Sequence, residues 1–176
     1  MTKFLPVFPF NDIVFPGQHL NLHIYEPRYI QLINECYASK KTFGIPSVFK
    51  DSVNEYGTEM KLDKISKVYD NGEMDIKTIG IKPFRIMELL REVPDKLYSA
   101  AIVYEVQHMP YDTNVLNPTL ADLIEELHVL LGTNFNLYEK FKQPMSFDLV
   151  PYVALPPEDQ YRLLCATSEK ARQWFI

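Results

Sequence analysis

Leu5-Pro6-Val7-Phe8-Pro9-Phe10-Asn11-Asp12-Ile13-Val14-Phe15-Pro16-Gly17 stands near the start of the chain and leads through Gln18–Ile24 into Glu26-Pro27-Arg28-Tyr29. The first six positions are apolar but cut by two prolines, and Phe15-Pro16-Gly17 reads as a turn. From Gln18 to Ile24 the side chains alternate, with His19, Asn21 and His23 on one face and Leu20, Leu22 and Ile24 on the other. That period of two predicts a half-buried strand. Pro27 then suits a first helical position, and Tyr29, Leu32, Ile33, Cys36 and Tyr37 follow at the spacing of an amphipathic helix.

Outward from this stretch the same rules predict more strands. Phe43–Phe49 is short and contains Pro46, which implies an edge or a bulge. Gly57–Tyr69 is longer, and its alternation slips near Lys64, a further bulge signal. Asp70-Asn71-Gly72 predicts a tight hairpin of type I′. Glu73–Gly80 returns with Met74, Ile76 and Thr78 inward, and Phe84–Arg91 and Leu97–Gln107 follow as two further strands. Six or seven strands joined largely by hairpins predict a small barrel or curled sheet.

Past Gln107 the pattern becomes helical. His108–Thr113 reads as a connecting loop; Asn117 caps a helix with Pro118 first, and Leu120, Leu123, Ile124, Leu127, Leu130 and Leu131 form its apolar stripe up to Gly132. Asn136–Lys142 and Ser146–Ala154 predict short helices. A last helix from Pro157 carries Tyr161, Leu164, Cys165, Ala171 and Phe175 on one side. The reading is α+β, with residues 1–107 as a β-rich part holding one early helix and 108–176 as a helical part.

Composition narrows the function. The 176 residues are 47% hydrophobic and 23% charged, with a net charge of −5, so no overall field attracts phosphate backbones or anionic lipid. Nucleic acid is therefore an unfavoured partner. No run reaches the roughly 18 apolar residues of a membrane-spanning helix, and Pro6, Pro9, Asn11 and Asp12 interrupt any leader-like segment. Cys36 and Cys165 read as small core residues in a reducing compartment, so the expected address is the cytoplasm.

Tests for chemistry come back empty. The six glycines are dispersed and none precedes a lysine, so no phosphate loop is present. His19 and His23 would sit about 13 Å apart along an extended strand, too far to share an ion, and a solvated strand face explains them. His128, beside Glu125 and Glu126, belongs on a polar helix face. No serine stands in a nucleophile elbow. We expect no catalysis, no cofactor and no metal.

The opening stretch resembles the N-terminal substrate-binding domain of Lon (La) proteases, which begins with a Leu-Pro-x-Phe-Pro run, a Val-Phe-Pro-Gly turn and a Phe-Glu-Pro-Arg-Tyr helix start. Here Tyr25 replaces the phenylalanine of that last motif. Phe43-Gly44, Gly57-Thr58, Asp70-Asn71-Gly72 and Gly80-Ile81-x-x-Phe84 match later landmarks in order, with Pro83 where the family has arginine. The resemblance covers nearly the whole chain and weakens after about Gln107. It implies a PUA-like β pseudo-barrel followed by a helical bundle, and recognition of unfolded or tagged polypeptides. The ATPase and Ser-Lys peptidase modules of Lon have no counterpart in these residues, so the resemblance implies a stand-alone, non-enzymatic recognition module, an adaptor in proteolysis or quality control.

Of the matching residues, Glu26, Pro27 and Tyr29 have helix-start explanations, and Arg28 is expected to pair with a carboxylate. Pro16 and Gly17 are most simply a turn. These six are expected to mark the fold rather than a binding surface. RNA binding, as in other PUA-like barrels, and a structural or assembly role are the competing readings.

Overall fold

The pleat of alternating side chains and the proline-first helices together build the two units of this computed structural model, which describes residues 1–49, 52–106 and 116–176. The units are Met1–Val106 and Gln107–Ile176. The Gln107 boundary and the His108–Thr113 loop fall outside the described residues.

In the first unit, β1 is Thr2–Pro6, β2 His19–Ile24, β3 Phe43–Phe49, β4 Ser52–Val68, β5 Met74–Leu90 and β6 Ala100–Glu105, with helix α1 at Pro27–Ser39. The sheet is antiparallel in the order β1-β6-β5-β4-β3, and β2 pairs β5 off that path. β5 therefore carries β2 along Met74–Ile79 and β6 along Phe84–Leu90. The sequence suggested two strands there; one 17-residue strand runs through both, because Gly80 to Pro83 stays extended against β4. The slip expected near Lys64 is present as a register shift between Leu62 and Lys64. Beyond β1 the chain turns toward β3, with parallel bridges Val7↔Gly44 and Phe10↔Ser47.

The Asn71-Gly72 hairpin differs from its expected type. Only Gly72 has positive φ, at 85°, while Asn71 does not. Gly72 N–H donates to the Tyr69 carbonyl and Tyr69 N–H to the Glu73 carbonyl. That is a three-residue loop closing with glycine in the left-handed region, so the extra residue, Asp70, removes the need for two positive φ angles.

Leu22, Ile24, Leu32, Ile33, Cys36, Phe43, Ile45, Met60, Met74 and Ile76 form the main core of this unit. Tyr37, expected on the buried face of α1, is 61% exposed. One step round from Cys36 takes its ring past the edge of the apolar stripe. Lys40 ends the helix at φ 54°, with its own N–H donating to the Cys36 carbonyl.

In the second unit α2 is Pro118–Leu130, α3 Leu137–Lys140, α4 Ser146–Leu149, α5 Pro157–Cys165 and α6 Glu169–Arg172, with short 3-10 turns after α4 and α6. Asn117 caps α2 by accepting from Thr119 N–H. Gly132, φ 71°, ends it, with Thr133 N–H donating back to the His128 carbonyl.

The buried side of α2 is Ala121 and Ile124, whereas Leu123, Leu130 and Leu131 are exposed. His128 lies on the inner side, contrary to the solvated position expected. Its Nδ1 is 2.7 Å from Thr133 Oγ1 and its Nε2 3.0 Å from the Tyr152 carbonyl, so satisfied polar contacts rotate the packed face away from the leucines. The single terminal helix of the sequence reading is two helices. Ala166 turns extended and Ser168 caps α6 by accepting from Ala171 N–H. Around that break lies a charge pair with both side chains fully buried, Glu169 and Arg172. Cys165 is only half-buried, unlike Cys36.

Candidate functional site

Two proline-punctuated segments of the first unit face each other across a groove. One is Phe8-Pro9-Phe10-Asn11, which leaves β1 extended because each proline excludes a helical neighbour. Phe8 N–H donates to the Gly44 carbonyl, which fixes the segment against β3. The other is the passage from β2 into α1, where Glu26 is the helix N-cap at φ −75°, ψ 133° and Pro27 the first helical residue. The Glu26 carbonyl accepts from both Tyr29 N–H and Ile30 N–H, closing the first turn.

The groove between them encloses about 410 Å³ and is walled by Phe8, Phe10, Tyr25 and Tyr29, with Leu22 and Ile24 of β2 behind. Phe8 meets Tyr29 edge-to-face at 4.3 Å and lies near-parallel to Phe10 at 6.3 Å. Tyr25 is 62% exposed. The groove lining contains no lysine or arginine. Burial pushes the Tyr29 phenol up, helped by the Glu26 carboxylate. β2 pairs β5 alone among the described strands, so its other edge carries backbone donors and acceptors with no strand partner.

On the paired side of β2, His23 bridges two carboxylates, Asp75 of β5 and Glu73 of the turn before it. Its Nδ1 lies 2.7 Å from Asp75 Oδ1 and its Nε2 3.1 Å from Glu73 Oε2. Tyr69 donates its hydroxyl to Asp75 Oδ2 at 2.8 Å, and Lys67 Nζ sits 4.2 Å from the Tyr69 ring centre. The hydrogen bond to Asp75 raises the His23 pKa, and the same bond lowers that of Asp75. The two carboxylates sit on opposite ring nitrogens and so cannot converge on one ion. Among the described residues no group of three or more His, Cys, Asp or Glu side chains could hold a metal. Burial pushes the Cys36 thiol up to about 11, which makes it a poor nucleophile.

The six residues singled out from the sequence separate in space. Glu26 and Tyr29 line the groove, and Pro27 starts α1. Arg28 is exposed and pairs with Glu26 at 3.1 Å, its guanidinium 5.9 Å from the Tyr29 ring centre. Pro16 and Gly17 lie in a type II turn from Phe15 to Gln18, where Gly17 takes φ 81°. That turn meets another landmark: Gly17 N–H donates to the Gly80 carbonyl and Gly80 N–H to the Gln18 carbonyl. A β-carbon at Gly80 would collide with the Phe15 carbonyl, so the two glycines interlock. The sequence did not single out Phe8, Phe10 and Tyr25 as groove walls; their signal was the recurrence of aromatic residues within the two proline-cut motifs.

A family model for the ATP-dependent protease La (LON) substrate-binding domain matches residues 4–173. The chain is similar to a Lon protease of Flavobacterium johnsoniae, 29% identical over 135 residues; the match takes in 71% of this chain and 16% of that protein. It thus spans about a sixth of the length of that relative. In structure it is similar to a Lon N-terminal domain protein from Xanthomonas campestris, with TM-score 0.71 and 22% identity over 95% of this chain and 92% of that one. The N-terminal domain of a Mycobacterium avium complex Lon protease aligns with TM-score 0.53 and 15% identity, over 98% and 89% of the two chains. These two likenesses establish the fold.

Proposed function

Since the chain belongs to the ATP-dependent protease La (LON) substrate-binding domain family, we propose that it is a non-enzymatic module that recognises extended, apolar-rich polypeptide at the groove beside β2. The observation that carries this reading is the conjunction of an aromatic-walled groove with a strand edge that has no partner strand among the described residues. An unfolded segment added along that edge gains main-chain hydrogen bonds, while an aromatic or aliphatic side chain enters between Phe10 and Tyr25. The absence of lysine and arginine from the lining argues for burial over charge as the driving force, and against RNA.

We place residues 1–107 in a PUA-like pseudo-barrel, with the Val7↔Gly44 and Phe10↔Ser47 bridges as its closing contacts, and residues 108–176 in a helical subdomain. We further propose an adaptor role, presenting bound chains to proteolytic machinery in the cytoplasm; two free cysteines support a reducing setting. No described helix is long and apolar enough to cross a membrane.

The test is fluorescence titration with a labelled, uncharged, apolar-rich peptide. Ordering a flexible chain on a small surface sets the expected Kd at about 1–100 μM. Binding should persist in about 0.5 M salt and be lost in the Phe10→Ala/Tyr25→Ser double variant. Equal binding by that variant overturns the reading.

A further inference from the structure

A second concavity of the first unit, about 770 Å³, lies between β1 and the end of α1 and shares no lining residue with the groove. β1 pairs β6 from Thr2 to Pro6, and the chain reaches β3 only at the Val7↔Gly44 bridge. The edge of β1 from Lys3 to Pro6 that borders the cleft therefore has no strand partner among the described residues. Phe4 stands 49% exposed on this wall, with Leu5 and Cys36 buried beside it.

The charges here oppose the protein's overall sign. Lys3, Lys40, Lys41 and Lys96 line the cleft against a single carboxylate, Glu35. Lys3 is held by Glu59 at 2.7 Å and Glu105 at 3.4 Å, and Lys96 by Glu35 at 2.9 Å. Lys40 and Lys41 are exposed and have no carboxylate within 4.0 Å among the described residues. On a chain of net charge −5, an acidic partner is repelled by most of the surface and drawn to a concavity that presents two uncompensated cations.

We propose that this cleft binds an extended acidic segment of a polypeptide, added along the open edge of β1, with its apolar residues toward Phe4 and its carboxylates toward Lys40 and Lys41. A strand with alternate apolar and acidic residues satisfies both walls, because successive side chains point to opposite faces. A single-stranded nucleic acid would match the lysines and stack a base on Phe4, yet it brings no peptide backbone for the strand edge. The cleft thus gives the protein a salt-sensitive mode of recognition besides the salt-resistant one proposed for the groove, and neither depends on the other.

The experiment is anisotropy titration with a labelled peptide of about ten residues alternating Glu with Val or Leu, a length that spans a strand edge. Its Glu→Gln counterpart and a single-stranded oligothymidylate serve as the other probes. The acidic peptide should bind the most tightly of the three, and about tenfold more weakly at about 0.5 M salt, where charges are screened beyond a few ångströms. Lys40→Asn/Lys41→Glu should weaken it about tenfold, since two exposed attractions are lost and one is reversed. Asparagine is chosen because it tolerates the left-handed backbone at position 40. Phe4→Ala should weaken the acidic and the Gln peptides alike. Phe10→Ala/Tyr25→Ser, which disables the groove, should leave acidic-peptide binding intact. Equal affinity for the acidic and Gln peptides, preference for the oligonucleotide, or indifference to the lysine variant with a native melting profile overturns the proposal. All three probes are compared in the Phe10→Ala/Tyr25→Ser background, so none of these results bears on the groove.

Discussion

Replacing Glu169 by leucine should remove most of the stability of the second unit. The carboxylate and the Arg172 guanidinium are both fully buried, with Oε2 accepting from Nε at 3.1 Å. Oε1 accepts from the backbone N–H and the hydroxyl of Ser146, each at 2.7 Å. Leucine of similar size deletes the anion but keeps the space, so Arg172 stays buried without its carboxylate and two Ser146 donors lose their acceptor. Breaking one side of a buried pair costs about 3–5 kcal/mol, and an abandoned buried donor about 1–3 kcal/mol more. A small domain has only about 5–15 kcal/mol in total, so most of the stability of this unit is lost. Urea titration followed by far-UV circular dichroism reads the loss, with Trp174, the sole tryptophan, as a local fluorophore. Adding Arg172→Met removes the stranded cation, so the double variant should recover about 2 kcal/mol or more relative to Glu169→Leu alone. A single variant within about 0.5 kcal/mol of wild type, or a double variant as unstable as the sum of the singles, would refute the reasoning.

Gly80→Ala should cost about 1–3 kcal/mol or more, because its methyl group meets the Phe15 carbonyl rather than a flexible side chain; a thermal melt checks it. Arg28→Ala should cost less than about 1 kcal/mol, since the Glu26 pair is exposed, and a melting point shifted beyond that range would show an unseen role. His23 has a raised pKa, so its links to Asp75 and Glu73 stabilise fully below the ordinary histidine value of 6.5 and fade as the pH rises through the raised value. The lowered Asp75 pKa sets the acid limit: its contribution is present above 3.8 and lost as the pH falls through the lowered value. NMR titration should show His23 with a midpoint above 6.5, and a midpoint below it would contradict the bridge.

What the sequence revealed was local. β2 was legible because one face of it is buried in the main core and the other is not, which writes a strict alternation. Asn117 with Pro118, and Gly132 fourteen residues later, marked the ends of α2 through backbone groups that only those residues satisfy. The type of the Asn71-Gly72 turn was misread because loop length, which sets the backbone geometry, depends on where the strands stop pairing. The long-range partners were illegible. Nothing in Glu169 or Arg172 announces that Ser146, 23 residues away, supplies the missing donors. His128 looked solvated beside two glutamates, and only the Tyr152 carbonyl explains its inward ring. The candidate groove was half visible: Glu26 and Tyr29 stood in a recognisable motif, while Phe8, Phe10 and Tyr25 became walls only once two distant segments met.

Amide hydrogen exchange, with and without a saturating uncharged apolar-rich peptide, tests the proposed recognition site most directly. The proposal predicts slowed exchange at Asn21–Tyr25 on the open edge of β2 and at Phe8–Asn11 across the groove, with the β5 partners of β2 unchanged. Peptide that binds while leaving both segments at their free exchange rates would contradict it.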